Sequence, residues 1–264
     1  MLGPITGDII GSTFEFNRTK SPDFPLFPEG SRFTDDTVLT VATAFSLLTD
    51  GDWAANYRLF GRLYPLAGYG ASFRKWLAEG GSGPYNSWGN GSAMRVAPVA
   101  WAFDTEQAVL ATARDSAAVT HDHPEGIKGA QATALAVFLA RQGADKETIR
   151  AEISGRFGYD LDRATDEIRP CYAFDVSCQG SVPEALICFL EADDWLDAVR
   201  RAVSLGGDAD TMACIAGAVG EAFWGGVPAP LADRARSMLP IHLAEIVADF
   251  EEAHMAPPAG KDDA

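Results

Sequence analysis

Two short acidic clusters, set far apart in the chain, hold the residues best suited to chemistry. The first is Thr34-Asp35-Asp36-Thr37 and the second is Gly207-Asp208-Ala209-Asp210-Thr211. Each combines carboxylates with a threonine hydroxyl, and Mg²⁺ and Mn²⁺ prefer such oxygen ligands in near-octahedral shells. If the fold brings the two clusters together, they can hold a pair of these ions. The sequence therefore predicts a candidate metalloenzyme.

Each cluster also has a purely structural interpretation, because each stands just before a long apolar helical pattern. Thr34 or an adjacent aspartate can simply cap the helix that follows. Asp208 and Asp210 have the same alternative, although Gly206-Gly207 imposes a tight turn in front of them. The helix dipole disfavours a cation at a helix N-terminus, so several carboxylates per ion are needed. The four aspartates and Glu15 are enough for two ions.

Glu15 ends a segment, residues 7–15, in which two glycines four positions apart would let another helix approach closely. Read alone, Glu15 is more typical of a surface acid. Two glycine-rich loops follow at residues 68–72 and 87–92. Such loops expose backbone N–H groups that can hold an anion, although each loop alone is also typical of an ordinary turn. Together with the acidic clusters they favour a diphosphate site.

The bulk composition limits the partners. The 264 residues carry a formal net charge of −16, which should repel nucleic acid and anionic membrane surfaces. A phosphate ligand would then have to be held by metal ions or backbone N–H groups. The sequence shows neither a secretory signal nor an apolar span of about 20 residues, so we predict no membrane segment. The four cysteines lack C-x-x-C spacing, which predicts reduced thiols in a cytoplasmic protein.

Hydrophobic periodicity is helical throughout. It predicts helices over residues 38–48, 130–141, 193–205 and 212–224, and a capping box at Asp104 begins another that runs to about Val119. The helix over 130–141 is apolar on several faces and should be central. Because alternation of period two is nearly absent, we predict a single all-α domain over residues 1–254. Residues 255–264 are predicted to form a flexible tail.

Six stretches together resemble the ADP-ribosylglycohydrolase family, which includes the dinitrogenase reductase-activating glycohydrolase. They are residues 7–15, 33–37, 68–72, 87–95, 120–130 and 206–220, and they stand in the family's order. The resemblance implies an orthogonal multi-helix bundle around two divalent ions, Mg²⁺ or Mn²⁺. It implies six metal ligands: Thr34, Asp35, Asp36, Asp208, Asp210 and Thr211. It also implies an ADP-ribose site built from Gly68, Gly70, Ser72, Ser87, Trp88, Gly89, Asn90, Gly91, Ser92 and His121.

The resemblance further implies a hydrolase that cleaves the C1″ glycosidic bond of ADP-ribose conjugates, on protein side chains or small acceptors. Glu15, Asp35 and Asp36 would be the catalytic acids. One alternative is a non-catalytic ADP-ribose-binding or crystallin-like structural member of the same fold. A second is a metal-free glycosidase with two carboxylates. The chain is short for the family, and no residue stands out as the one that would recognise a guanidinium leaving group. A monomer is favoured.

Overall fold

The computed structural model describes residues 1–255 of the chain. Within that range every regular element is an α-helix, and the one pairing of extended backbone is an isolated antiparallel bridge between Gly89 and Ser177. The predicted all-α class is confirmed. Apart from Met255, the predicted tail at residues 255–264 lies outside the described residues and stays a prediction.

The helices follow one another with short connections, the longest leading from the first helix to the second. In chain order they are α1 (Leu2–Gly11), α2 (Asp35–Thr49), α3 (Trp53–Leu63), α4 (Ala71–Ala78), α5 (Gly91–Met94), α6 (Ala97–Ala102), α7 (Glu106–Ala118), α8 (Pro124–Arg141), α9 (Lys146–Phe157), α10 (Thr165–Ile168), α11 (Cys178–Glu191), α12 (Trp195–Ser204), α13 (Ala209–Trp224), α14 (Ala229–Ser237) and α15 (Ile241–His254).

Two of the predicted helices begin one turn earlier than their apolar patterns suggest. Helix α2 starts at Asp35, with Thr34 as the N-cap that accepts a hydrogen bond from the Asp36 backbone N–H. Helix α13 starts at Ala209. The acidic clusters therefore occupy the first turns of these helices. The predicted capping box at Asp104 is off by one residue, because Thr105 is the N-cap of α7 and bonds the Ala108 N–H.

Helix α1 packs against α13 along a seam of glycines. All ten residues of α1 are buried. A Cβ atom added at Gly7 would lie 2.2 Å from the carbonyl oxygen of Ala213, and one added at Gly11 would lie 2.4 Å from that of Ala209. Only glycine permits such close contact between the two backbones. The predicted close approach at Gly7 and Gly11 is confirmed, and it brings the end of α1 to the first turn of α13.

Gly7→Ala should destabilise the fold by about 3 kcal/mol, because the added methyl group meets backbone atoms that cannot rotate away. The matched control is Gly155→Ala on α9, where no heavy atom lies within 4 Å of the added Cβ. That control should stabilise the protein by up to about 1 kcal/mol. The measurement is denaturant unfolding of both variants. Equal midpoints would contradict the close backbone contact between α1 and α13 at Gly7.

Helix α8 is central, as predicted. Its residues Leu135, Ala136 and Val137 are fully buried, and it packs against α5, α6, α7, α11 and α13. Among residues 1–255, no helix combines the length and the apolar character that crossing a membrane requires. All four cysteines are free thiols, and Cys171 is the exposed one among them.

Candidate active site

The two acidic clusters meet where the α1–α13 seam ends. Thr34 and Asp208 are the N-caps of α2 and α13, so each cluster lies at the first turn of its helix. The Thr211 hydroxyl donates to Asp36 Oδ2 at 3.3 Å, although the two residues are 175 positions apart. Clusters that are remote in sequence thus form one acidic centre.

Two groups of three carboxylates in this centre have a spacing that suits a metal ion. The oxygens of Glu15, Asp208 and Asp210 lie within 4.8 Å of one another, and so do those of Asp8, Asp36 and Asp210. Asp210 belongs to both groups. Carboxylate oxygens are the ligands that hard divalent cations prefer. Each of the two groups can hold such an ion.

The electrostatics of the centre favour a bound cation. Burial, and next the charge of a neighbouring aspartate, raises the pKa of Asp35, Asp36 and Asp210 well above 3.8. Burial also raises the pKa of Asp208 to about 6. Asp36 Oδ1 is buried and has no hydrogen-bond partner among the described residues. Buried carboxylates without compensating positive charge are costly, and a divalent ion would remove that cost.

Glu15 stands at the edge of this centre. It is half-buried, and burial, followed by the charge of Asp210, raises the pKa of its carboxyl to about 7. A carboxyl with such a pKa is poised to exchange a proton near neutral pH. The structural setting of Glu15 therefore differs from that of an ordinary surface acid.

Asp8 is a residue that the sequence analysis missed. Its carboxylate accepts four hydrogen bonds, from the backbone N–H and the hydroxyl of both Thr34 and Thr37. Burial nevertheless raises its pKa to about 6. Although its oxygens are close enough to Asp36 and Asp210 to share an ion, these four bonds use most of their lone pairs. We therefore interpret Asp8 as the brace that fixes the first turn of α2.

Lys20 joins the segment that follows Glu15 to the second acidic cluster. Its ammonium donates to the backbone carbonyls of Arg169 (2.8 Å) and Tyr172 (2.7 Å) and to that of Leu205. Leu205 directly precedes Gly206, which adopts the left-handed conformation with φ +67°. The lysine thereby ties the turn that presents Asp208 to the loop between α1 and α2.

A cavity of about 380 Å³ opens over the acidic centre. Its lining includes the six predicted metal ligands and Glu15. It also includes eight of the ten predicted substrate-binding residues: Gly68, Gly70, Ser72, Ser87, Gly89, Asn90, Gly91 and His121. The two glycine loops and the two acidic clusters therefore face one space.

The second glycine loop is hydrogen-bonded both to the acidic centre and to the segment from Val176 to Cys178. Asn90 donates from Nδ2 to Asp208 Oδ2 at 2.7 Å and to the Ser181 hydroxyl at 3.1 Å. The backbone N–H of Asn90 bonds the carbonyl of Val176, and that of Cys178 bonds the carbonyl of Trp88. Asn90 thus orients an acid of the centre directly.

Two predicted substrate-binding residues do not line the cavity. The Ser92 side chain is fully buried and donates to the Gly126 carbonyl at 2.7 Å. Trp88 is about half exposed, and its ring lies 5.5 Å from that of His123. His123 is the N-cap of α8, where its Nδ1 accepts from the Glu125 N–H.

Several lining residues had not been predicted. Phe16, Arg32, Tyr85, Arg95 and Val176 all border the cavity. Apart from Arg95, which follows α5 directly, they lie on connecting segments outside the helices, where periodicity gives no signal. Arg95 stands inside a stretch that resembles the family, yet an arginine beside Met94 has no local feature that predicts its position at the cavity.

The chain is similar in sequence to several known proteins. A family model described as ADP-ribosylglycohydrolase matches residues 1–256. ADP-ribosylhydrolase ARH3 of Homo sapiens is 29% identical, with 85% of this chain and 84% of that protein covered. ADP-ribosylarginine hydrolase Tri1 of Pseudomonas putida (strain GB-1) is 28% identical, with coverage of 85% and 69%. The human alignment runs over 306 positions, more than the 264 of this chain, so that relative carries insertions.

The fold is also similar to a solved structure. A chain described as "ADP-ribosylglycohydrolase-related protein complex" superposes with a TM-score of 0.68 and 26% sequence identity. The match covers 95% of this chain and 96% of the other. The similarity therefore spans the whole bundle rather than a local motif.

Proposed function

We propose a substrate and a reaction from the premise that the chain belongs to the ADP-ribosylglycohydrolase family. Membership makes it a hydrolase of glycosidic bonds. We propose that it cleaves the C1″ bond of ADP-ribose conjugates, carried by a protein side chain or a small acceptor. The observation that carries this proposal is the crowding of buried acids beneath a cavity whose rim is formed by glycine loops.

We propose that two divalent ions, Mg²⁺ or Mn²⁺, complete the site. Thr34, Asp35, Asp36, Asp208, Asp210 and Thr211 would hold them, with Glu15 beside them. The fit is supported by the unpartnered Asp36 Oδ1 and by the raised pKa values of the aspartates. When bound, such ions neutralise charge and lower the pKa of a nearby water.

Side chains of the protein would carry out the proton transfers of the reaction. Glu15, whose pKa is about 7, is the best proposed acceptor for the proton of the attacking water. Asp35 and Asp36 are the other proposed catalytic acids, and both line the cavity. The Asp35 backbone N–H donates to the carbonyl of Ala67 at 2.9 Å, which anchors the first glycine loop beside it.

The glycine loops are proposed to bind the diphosphate and the riboses. In a chain of net charge −16, an anionic ligand needs local compensation. Backbone N–H groups at Gly68 and Gly70 can supply part of it, and the positively charged residues Arg32 and Arg95 border the same cavity. The bound ions would supply the rest.

The remaining proposals concern the partners and the setting of the reaction. An ADP-ribosylated protein is one proposed substrate. We also propose that the enzyme is a monomer and that it acts in the cytoplasm. The four free thiols, three of them buried, support a reducing compartment. The acidic surface makes nucleic acid an unfavourable substrate carrier. The leaving group stays open, and arginine is one candidate because the Pseudomonas relative is named an ADP-ribosylarginine hydrolase.

The test is a panel of ADP-ribose conjugates, on arginine, serine, an acetyl ester and 1″-phosphate. Each is assayed with chelated protein and after addition of Mg²⁺ or Mn²⁺. The proposal expects hydrolysis of at least one conjugate, lost on chelation and restored by one metal. Full activity after exhaustive chelation would instead support the metal-free glycosidase. Tight ADP-ribose binding in calorimetry, without turnover of any conjugate, would support the non-catalytic alternative.

A further inference from the structure

A buried arginine begins a short hydrogen-bond chain at the cavity wall. Arg95 is fully buried, and its guanidinium carbon lies 4.2 Å from the ring centroid of Tyr57. Its Nη2 donates to the Ser116 carbonyl at 3.2 Å and to the Thr120 hydroxyl oxygen at 2.8 Å. A guanidinium has donors only, so the direction of the bond to Thr120 is fixed.

The bond from Arg95 also determines the direction of the hydrogen bond between the Thr120 hydroxyl and His121. Its oxygen lies 2.7 Å from His121 Nδ1. Thr120 is fully buried, and in the part of the chain that the structure describes its hydroxyl has no other acceptor. If Nδ1 carried a hydrogen, the hydroxyl would face two donors and its own hydrogen would be left unsatisfied. The hydroxyl therefore donates to Nδ1, and Nδ1 has no hydrogen.

The other ring nitrogen of His121 faces the second glycine loop. A Cβ atom added at Gly91 would lie 3.2 Å from Nε2, and one added at Gly89 would lie 3.6 Å away. Burial, and next the charge of Arg95, lowers the pKa of His121 well below 6.5, so the ring stays neutral at physiological pH. A neutral ring without a hydrogen on Nδ1 has it on Nε2.

We propose that Arg95 and Thr120 are positioning residues that hold His121 as the Nε2–H tautomer, so that a hydrogen-bond donor faces the ligand at Gly89 and Gly91. The inference rests on the proposed function, because the phosphate and ribose oxygens of ADP-ribose are acceptors. An unprotonated Nε2 would present a lone pair to those oxygens and repel them. Arg95, Thr120 and His121 thus favour a ligand that places hydrogen-bond acceptors next to Nε2.

The tautomer can be read directly by NMR of the full chain labelled with ¹⁵N-histidine, without any ligand. The chain has four histidines, and His121→Gln identifies the signals of His121. The imidazole Hδ2 couples mainly to Nε2. It should therefore correlate with a protonated, pyrrole-type nitrogen, while Nδ1 gives a pyridine-type signal. A pyridine-type Nε2 in the wild-type protein would overturn the inference by itself.

Variants of Thr120 separate positioning from packing. Thr120→Val removes the hydroxyl and should convert the His121 signals to a tautomer mixture, with ADP-ribose binding about tenfold weaker, the effect of one buried hydrogen bond. Thr120→Ser keeps the hydroxyl and should retain both the wild-type signals and affinity. Thr133→Val is the matched control, because that buried hydroxyl has no partner among the described residues, and it should change neither.

The outcomes distinguish this inference from the proposed function. Wild-type signals in Thr120→Val, or a tautomer mixture in Thr120→Ser, would contradict the positioning role even in an active hydrolase. Wild-type protein with the Nε2–H tautomer but no binding of ADP-ribose would contradict the proposed function and the ligand assignment, while the hydrogen-bond chain would stand. Thermal unfolding of each variant checks that the fold is intact.

Discussion

Asp210→Asn should lower kcat/KM for ADP-ribose conjugates on the order of 10³-fold, the loss of about 4 kcal/mol of transition-state stabilisation. Asp210 belongs to both carboxylate groups of the acidic centre, so its charge contributes to both proposed ion positions. The amide has nearly the same shape and lacks the charge. Measurements of steady-state kinetics and of bound metal per chain should show both quantities falling together.

The same substitution should make the metal-free protein more stable. Burial and the charge of Asp208 raise the pKa of Asp210, which means that ionised Asp210 is unfavourable without a cation. A neutral amide removes that repulsion, so chelated Asp210→Asn should unfold at a higher temperature than chelated wild type. Asp233→Asn is the control, since Asp233 is exposed on α14. If Asp210→Asn kept wild-type activity and ion content, Asp210 would not be a ligand of the ions.

The second large effect is on the pH dependence of stability after chelation. Asp8 and Asp208 have pKa values of about 6 in the folded chain against 3.8 ordinarily. Between these values the folded chain holds protons that the unfolded chain has released. Their contribution to the free energy of unfolding is therefore complete below pH 3.8 and is lost as pH rises through about 6. For the fully buried Asp8, a shift of about two units corresponds to about 3 kcal/mol.

Divalent ions should reverse this loss, because their positive charge favours the ionised forms of Asp208, a proposed ligand, and of Asp8, which lies beside the proposed ligands. The difference in unfolding temperature between ion-loaded and chelated protein should thus grow from about pH 5 to about pH 7.5, by roughly 10 °C. Differential scanning calorimetry at several pH values, with Mg²⁺ or with chelator, measures it. Comparing the two states at each pH cancels titrations elsewhere in the chain. A pH-independent difference would show that the ions do not bind next to these two acids.

The sequence predicts the parts of this site whose signals are local. The aspartates that follow Thr34 and those that follow Gly206-Gly207 mark helix starts, and the glycine loops mark exposed backbone, so their positions follow from short patterns. The meeting of the two clusters was also predicted, from their shared chemistry and from the family resemblance. The spacing of Gly7 and Gly11 predicted the close approach of a second helix.

What the sequence does not reveal depends on contacts between distant residues. Asp8 is a single acid in an apolar helix, and its partners Thr34 and Thr37 are 26 and 29 positions away. Lys20 reaches carbonyls up to 185 positions away. Ser92 stands in a promising loop, yet the short helix α5 turns its hydroxyl to Gly126. Each of these contacts joins residues far apart in the chain, so no pattern of neighbouring residues could predict it.

The glycine seam also decides the order in which the site can be assembled. Gly7 lies on α1, whereas the backbone it packs against, at Ala213, is made about two hundred residues later. At a synthesis rate of about 5–20 residues per second, α1 waits for at least about ten seconds without its partner. A nascent chain that stops before Asp210 contains neither complete carboxylate group. Neither group can therefore bind an ion until the first turn of α13 has been made.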